Sequence, residues 1–145
     1  MPEYSLDNLS YADYHAIINV TREHVDLHGR RLKGIVAFGD MVATGRSNDL
    51  FVLEVVEGWV GPRRMEFTST SDVPLRGKLI IFFVLPRELL RPGSVALPGL
   101  GLSSGELLDH VTRAYIVLYS YPVDYLREAL RKIEEAQLLS PPVEA

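Results

Sequence analysis

The chain has 145 residues, of which 47% are apolar and 23% are charged, and its formal net charge is −4. This composition is typical of a single globular domain with a buried core, and the small excess of acid argues against nucleic-acid binding, which needs clustered Lys and Arg. The chain has no cysteine, which excludes disulfides, thiolate zinc sites and cysteine nucleophiles.

The first predicted element is a helix from about Tyr11 to His28. Ser10 carries a hydroxyl that can cap a free amide, and Asp13 suits the positive end of the helix dipole. Apolar residues then recur at helical spacing, and Gly29 is a natural C-terminal stop.

The middle of the chain predicts a sheet, with four strands and one helical turn between the first two. The strands are Leu32 to Phe38, Leu50 to Val56, Met65 to Thr68 and Lys78 to Leu85, and the turn is Met41 to Thr44. The last strand contains a run of β-branched and aromatic residues from Ile80 to Val84. Both of its faces must be covered, so we expect it in the interior of the sheet.

The next segment combines short helices and a loop. Pro86 to Leu90 predicts a short helix with proline in its first turn, and residues 91–104 predict a long loop that is rich in Gly and Pro. Ser103 and Glu106 form a capping box, which predicts a helix that continues to about Arg113.

The chain ends with a strand, Tyr115 to Tyr119, and a helix opened by Pro122. One face of this helix is predicted to be apolar, and its residues are Val123, Leu126, Leu130 and Ile133. Alternating strands and helices predict an α/β (α+β) fold, a mixed β-sheet flanked by helices, in one domain over residues 1–145 with its core at about 10–137. No leader segment and no run long enough to cross a bilayer is found, so a cytoplasmic protein without membrane attachment is expected.

The segment from Gly34 to Glu54 joins two strands through a glycine turn at Gly39, and its second strand begins near Ser-Asn-Asp-Leu at 47–50. This order resembles the core of the nucleotidyltransferase superfamily, where a strand ends in Gly-Ser, a short helix follows, and the next strand opens with Asp-x-Asp. Leu79 to Leu90 resembles the third core strand of that family and its Pro-x-Glu-Leu helix, and Asp109 to Tyr119 resembles a later helix and strand. The likeness is to small nucleotidyltransferases of the kind that act as antitoxins.

The resemblance implies a set of site residues. In that family a paired acid and a third acid hold two magnesium ions, which align the oxygens of the reacting phosphate. Carried onto this sequence, the catalytic and metal-binding acids are Asp49 and Asp40, with Glu66 as the candidate third acid. The nucleotide-binding residues implied are Gly39, Thr44, Gly45, Arg46 and Ser47.

The sequence departs from the family pattern at several of these positions. Asp40 replaces the serine of the Gly-Ser turn and puts an anion where phosphate should approach. Only Asp49 stands where two acids are expected, because either Ser47 or Phe51 takes the place of the other. Glu54 lies at an odd offset from Asp49, which puts it on the opposite face of the strand.

These departures predict a nucleotidyltransferase-like domain that has lost catalysis, needs no cofactor, and acts through a protein partner or as a homodimer. The alternative is an active magnesium-dependent nucleotidyltransferase that transfers a nucleoside monophosphate to a protein or a small acceptor. A further alternative is an unrelated α/β domain that binds a small ligand under the 91–104 loop.

Two histidines near the end of the first helix allow another interpretation. His24 and His28 are one helical turn apart and share a face, a spacing that can bind a transition metal. Asp26 lies off that face, so the helix alone supplies two ligands. We interpret both histidines as partners of the negative end of the helix dipole.

Overall fold

The computed structural model describes residues 3–5, 9–45, 49–58, 63–68, 79–97 and 101–139. The helices are α1 (Tyr11–His28), α2 (Asp40–Thr44), α3 (Ser104–Arg113) and α4 (Tyr125–Leu139). The strands are β1 (Leu32–Phe38), β2 (Asp49–Val56), β3 (Arg63–Thr68), β4 (Leu79–Pro86), β5 (Ala96–Leu97), β6 (Leu102–Ser103) and β7 (Tyr115–Ser120). Short 3-10 turns occupy Gly29–Arg31 and Arg87–Leu89.

Five of these strands form a mixed sheet in the order β3-β4-β2-β1-β7. The pair β2 and β4 is parallel, and the other neighbours are antiparallel. This arrangement confirms the predicted mixed sheet flanked by helices. It also places β4 between β2 and β3, in the interior position predicted from its apolar sequence.

The sheet has a separate core on each face. On one face α1 packs against a cluster that includes Ile17, Val52 and Phe82. On the other face α3 and α4 cover a cluster that includes Leu53 and Leu126. Successive residues of β2 therefore point to opposite cores, as the period of a strand requires.

The packing of α4 on the sheet is close. A Cβ atom built on Gly34 of β1 would lie 2.8 Å from Leu126 Cδ2, so glycine lets the helix approach the strand directly. Tyr115 at the start of β7 belongs to the same core, and burial raises the pKa of its phenol to about 12.

The helix boundaries follow their capping residues. The Ser10 hydroxyl accepts a hydrogen bond from the Asp13 amide at 3.2 Å, and Gly29 ends α1 with a φ of 59°. Ser103 and Glu106 form the predicted capping box of α3 in both directions. These local signals gave the correct ends of α1 and the correct start of α3.

Two predictions near these helices are wrong. The last helix begins at Tyr125 rather than at Pro122, because residues 121–124 first form a turn, in which the Tyr125 amide donates a hydrogen bond to the Pro122 carbonyl at 3.0 Å. Val123 lies in that turn with 72% of its surface exposed, whereas the other predicted apolar positions of the helix are buried. The long loop predicted at 91–104 also contains regular structure, since β5 and β6 pair with each other there.

Candidate functional site

A pocket of about 460 Å³ opens on the α3 side of the sheet, at the end of β1. The glycine turn that the sequence singled out forms one of its walls, and α3 forms another. The lining residues are Phe38, Gly39, Asp40, Phe51, Phe83, Leu102, Glu106, Leu107, His110, Arg113 and Ala114.

Three phenylalanine rings form the floor of this pocket. Phe38 ends β1, Phe51 lies opposite it on β2, and Phe83 comes from β4. The ring centroids of Phe38 and Phe51 are 5.7 Å apart, and those of Phe51 and Phe83 are 6.3 Å apart. These are the separations of packed aromatic pairs, so the floor is a continuous apolar surface.

The rim of the pocket is polar and carries both signs of charge. Asp40 lies at the start of α2, and Glu106, His110 and Arg113 lie on one face of α3 at spacings of four and three residues. Arg113 donates a hydrogen bond of 2.6 Å to Asp109, and this pair neutralises its charge locally. The rim therefore has no excess of positive charge to attract a triphosphate.

The backbone at Gly39 has a conformation that only glycine adopts readily. Its φ is 99° and its ψ is −166°, and a Cβ atom there would lie 3.1 Å from the Phe51 ring. The Gly39 amide donates to the Ala114 carbonyl at 3.1 Å, which ties the turn to the end of α3. Because this amide already donates a hydrogen bond within the protein, it is not available to bind a phosphate group.

The structure brings only some of the predicted site residues to the pocket. Gly39 and Asp40 line it. Thr44 donates its hydroxyl to the Asp40 carbonyl at 2.8 Å, so this hydroxyl serves the short helix α2. Gly45 ends α2 in the left-handed conformation, with a φ of 70°. Arg46 and Ser47 lie outside the described residues.

The two remaining predicted acids are described by their backbones alone. Asp49 is the first residue of β2, and Glu66 lies on β3 opposite Ile81 of β4. Ile81 in turn pairs with Phe51 of β2. Because β4 separates the two strands, the Glu66 backbone lies about 10 Å from that of Phe51. The side chains of Asp49 and Glu66 lie outside the described part of the structure.

The sequence reasoning missed the contribution of α3 to this pocket. The signal was present, because Glu106, His110 and Arg113 recur at the spacing of one helix face. The spacing shows that these side chains share a face of α3. It does not show that α3 packs over the end of β1 or that three aromatic rings lie beneath it.

A second cluster of polar side chains lies on the other face of the sheet. The Glu54 side chain on β2 has no exposed surface, and both histidines at the end of α1 reach it. His24 Nδ1 contacts Glu54 Oε1, and His28 Nε2 lies 3.2 Å from Glu54 Oε2. The His24 ring also stacks on Phe82 with 4.4 Å between centroids. A metal ion could be held here, because one ligand atom from each of the three residues lies within 4.8 Å of the others.

The interpretation of His24 and His28 as helix-dipole partners missed Glu54. Glu54 stands out in the sequence because it is the single charged residue in the otherwise apolar run from Leu50 to Val56. Such a residue in a central strand needs an ionic partner. The partner comes from α1, which is distant in sequence.

Comparison with known proteins adds no identification. The sequence matches no protein-family model and no curated protein. Among the described residues, no helix has the length and apolar character that crossing a membrane requires.

Proposed function

We propose that this chain is a nucleotidyltransferase-like domain that has lost catalysis and acts by binding another protein chain. The observation that carries this proposal is the aromatic floor of the pocket. Where Asp49 is taken as the first acid of the family pair, Phe51 stands at the position of the second, and Phe83 lies on the strand that would supply the third acid.

The chemistry of the pocket supports the loss of catalysis. Magnesium is bound by carboxylate, carbonyl and water oxygens, and an aromatic ring offers none of these. Nucleotidyl transfer also needs positive charge around the phosphates, whereas the rim combines Asp40 and Glu106 with an arginine that is already paired with Asp109. In the family the backbone amides of the glycine turn face the phosphates, whereas here the Gly39 amide donates a hydrogen bond to the Ala114 carbonyl.

The order of the strands supports the proposed relationship to the nucleotidyltransferase family. The resemblance requires the strands before and after the glycine turn, and the strand that ends at Pro86, to lie side by side. They are adjacent here, in the order β4-β2-β1. The turn glycine and the short helix α2 also occupy the expected places in the chain.

The same pocket suits the binding of a protein chain. A cluster of aromatic side chains inside a polar rim is the usual composition of the centre of a protein interface. An apolar side chain of a partner would cover the three rings, and a basic side chain beside it would meet Asp40 and Glu106. The partner is a different protein or a second copy of this chain. Sedimentation of the protein alone distinguishes the two cases, because binding of a second copy gives a species with the mass of a dimer.

One observation favours the alternative, an active nucleotidyltransferase. The pocket volume of about 460 Å³ lies within the range of small-ligand sites, and Gly39 and Asp40 both line it. In this alternative Asp40 and Asp49 hold magnesium, with Glu66 as the third acid, and the product is a nucleoside monophosphate on a protein or small acceptor.

Incubation with each labelled nucleoside triphosphate in Mg²⁺ or Mn²⁺ tests the proposal. We expect no transfer of label to the protein or to added acceptor proteins above the level of a no-enzyme control, because the paired carboxylates are missing. The matched control is Asp124→Ala, which removes an exposed acid that does not line the pocket. Metal-dependent transfer that Asp49→Ala abolishes and Asp124→Ala preserves would overturn the proposal.

A further inference from the structure

We propose that His24, His28 and Glu54 form a binding site for one divalent transition-metal ion of the zinc type. The site joins the C-terminal end of α1 to β2. It lies on the face of the sheet opposite the aromatic pocket, and it does not depend on the proposed function of that pocket.

The first argument is the convergence of three ligands from two elements. His24 and His28 are separated by one turn of α1, so their rings project from the same side of the helix. Glu54 meets them from the middle of β2, with its two oxygens beside the two ring nitrogens. The three ligand atoms lie within 4.8 Å of one another. Ligands at zinc bonding distance in a tetrahedron are about 3.4 Å apart, so small side-chain rotations bring these atoms onto one ion.

The second argument is the environment of the carboxylate. The Glu54 side chain is fully buried, and its neighbours on the same face of β2 are Val52 and Val56. A buried carboxylate is costly unless a cation compensates it. A histidine nitrogen lies beside each Glu54 oxygen, so the three side chains converge on one point inside the core.

The third argument is the chemistry of the donor set. Two imidazoles and one carboxylate match zinc sites and the ligand triad of non-haem iron proteins. Calcium and magnesium prefer all-oxygen sites, so they are excluded as the preferred ions. A protonated histidine would also neutralise Glu54, but it would use one nitrogen, whereas a metal ion uses all three ligands together.

The burial of the cluster indicates what the ion does. Each histidine side chain keeps 11% of its surface exposed, and the His24 ring is covered by Phe82. This leaves little room for a substrate, while water can supply a fourth ligand. We therefore assign the ion a structural role, in which it fixes the end of α1 against the central strand of the sheet.

Titration of the metal-free protein with Co²⁺ and then Zn²⁺ tests this proposal. We expect visible absorption bands of Co²⁺ bound to nitrogen and oxygen ligands, saturation at one ion per chain, and displacement by one equivalent of Zn²⁺. Zinc should also raise the melting temperature, since a ligand that binds only the folded state stabilises it. The other two histidines provide matched controls, because His15→Ala and His110→Ala leave the three ligands intact.

The variants decide the outcome. We expect Glu54→Gln and His28→Ala to weaken Co²⁺ binding at least ~100-fold, because loss of even an outer-shell partner of a ligand costs 10–100-fold. Circular dichroism shows whether each variant is folded, and Glu54→Gln keeps the shape of the side chain. Absence of one-to-one binding by the folded wild type overturns the proposal. Binding that survives in folded Glu54→Gln, or that His15→Ala or His110→Ala abolishes, overturns it as well.

Discussion

Replacement of Phe82 by alanine is expected to lower the free energy of unfolding by about 3–5 kcal/mol, the usual cost of deleting a buried aromatic side chain. Phe82 is 1% exposed and lies on β4, which has a strand on each side. Its ring fills the core under α1 and stacks on the His24 ring at an interplanar angle of 5°. The truncation therefore leaves a cavity and also removes the ring on which the His24 side chain stacks.

The matched control for this change is Phe51→Ala. Phe51 is only partly buried because one side of its ring faces the pocket, so its loss leaves less new cavity. Urea unfolding at equilibrium measures both variants, and unchanged m-values would show that the unfolded states remain comparable. Equal losses of stability in the two variants would contradict the assignment of Phe82 to the core and Phe51 to the pocket floor.

The second large effect is expected at the buried cluster in metal-free protein. The double variant His24→Leu/His28→Leu should lose about 3–5 kcal/mol, because it removes both imidazoles that contact Glu54 and leaves a buried carboxylate without a partner side chain. The expected loss comes from desolvation of Glu54, whose side chain is fully buried.

Adding Glu54→Leu to this double variant should restore most of the loss. Replacing a whole buried ionic group with apolar residues is often neutral or stabilising by about 1–4 kcal/mol. Thermal and urea unfolding in the presence of a chelator measure the two variants. A triple variant that is no more stable than the double variant would show that the charge of Glu54 is not the source of the effect.

Much of the fold was predictable because its signals are local. The cap at Ser10, the stop at Gly29 and the capping box at Ser103 each depend on neighbouring residues, and all three stand where expected. The apolar run of β4 predicted its interior place in the sheet for the same reason. The predicted start of α4 is wrong because proline suits a first helical turn and a tight turn equally well, and Pro122 lies in a turn.

The candidate sites were harder to predict because they depend on contacts between distant segments. The sequence alone indicated Gly39, Asp40 and one missing acid, at either Ser47 or Phe51. It did not indicate that α3 would close the pocket with His110 and Arg113. The alternation of β2 places Glu54 on the face opposite Asp49, but its partners on α1 depend on the packing of that helix on the sheet.

The most direct test of the proposed loss of catalysis is a nuclear magnetic resonance titration of the labelled protein with nucleoside triphosphates and Mg²⁺. We expect the amide signals of Gly39, Asp40 and Phe51 to stay unchanged at millimolar nucleotide, because the pocket has an aromatic floor and a rim without excess positive charge. Saturable shifts at these amides that require Mg²⁺ and disappear in Asp49→Ala would contradict this expectation and establish the pocket as a nucleotide site.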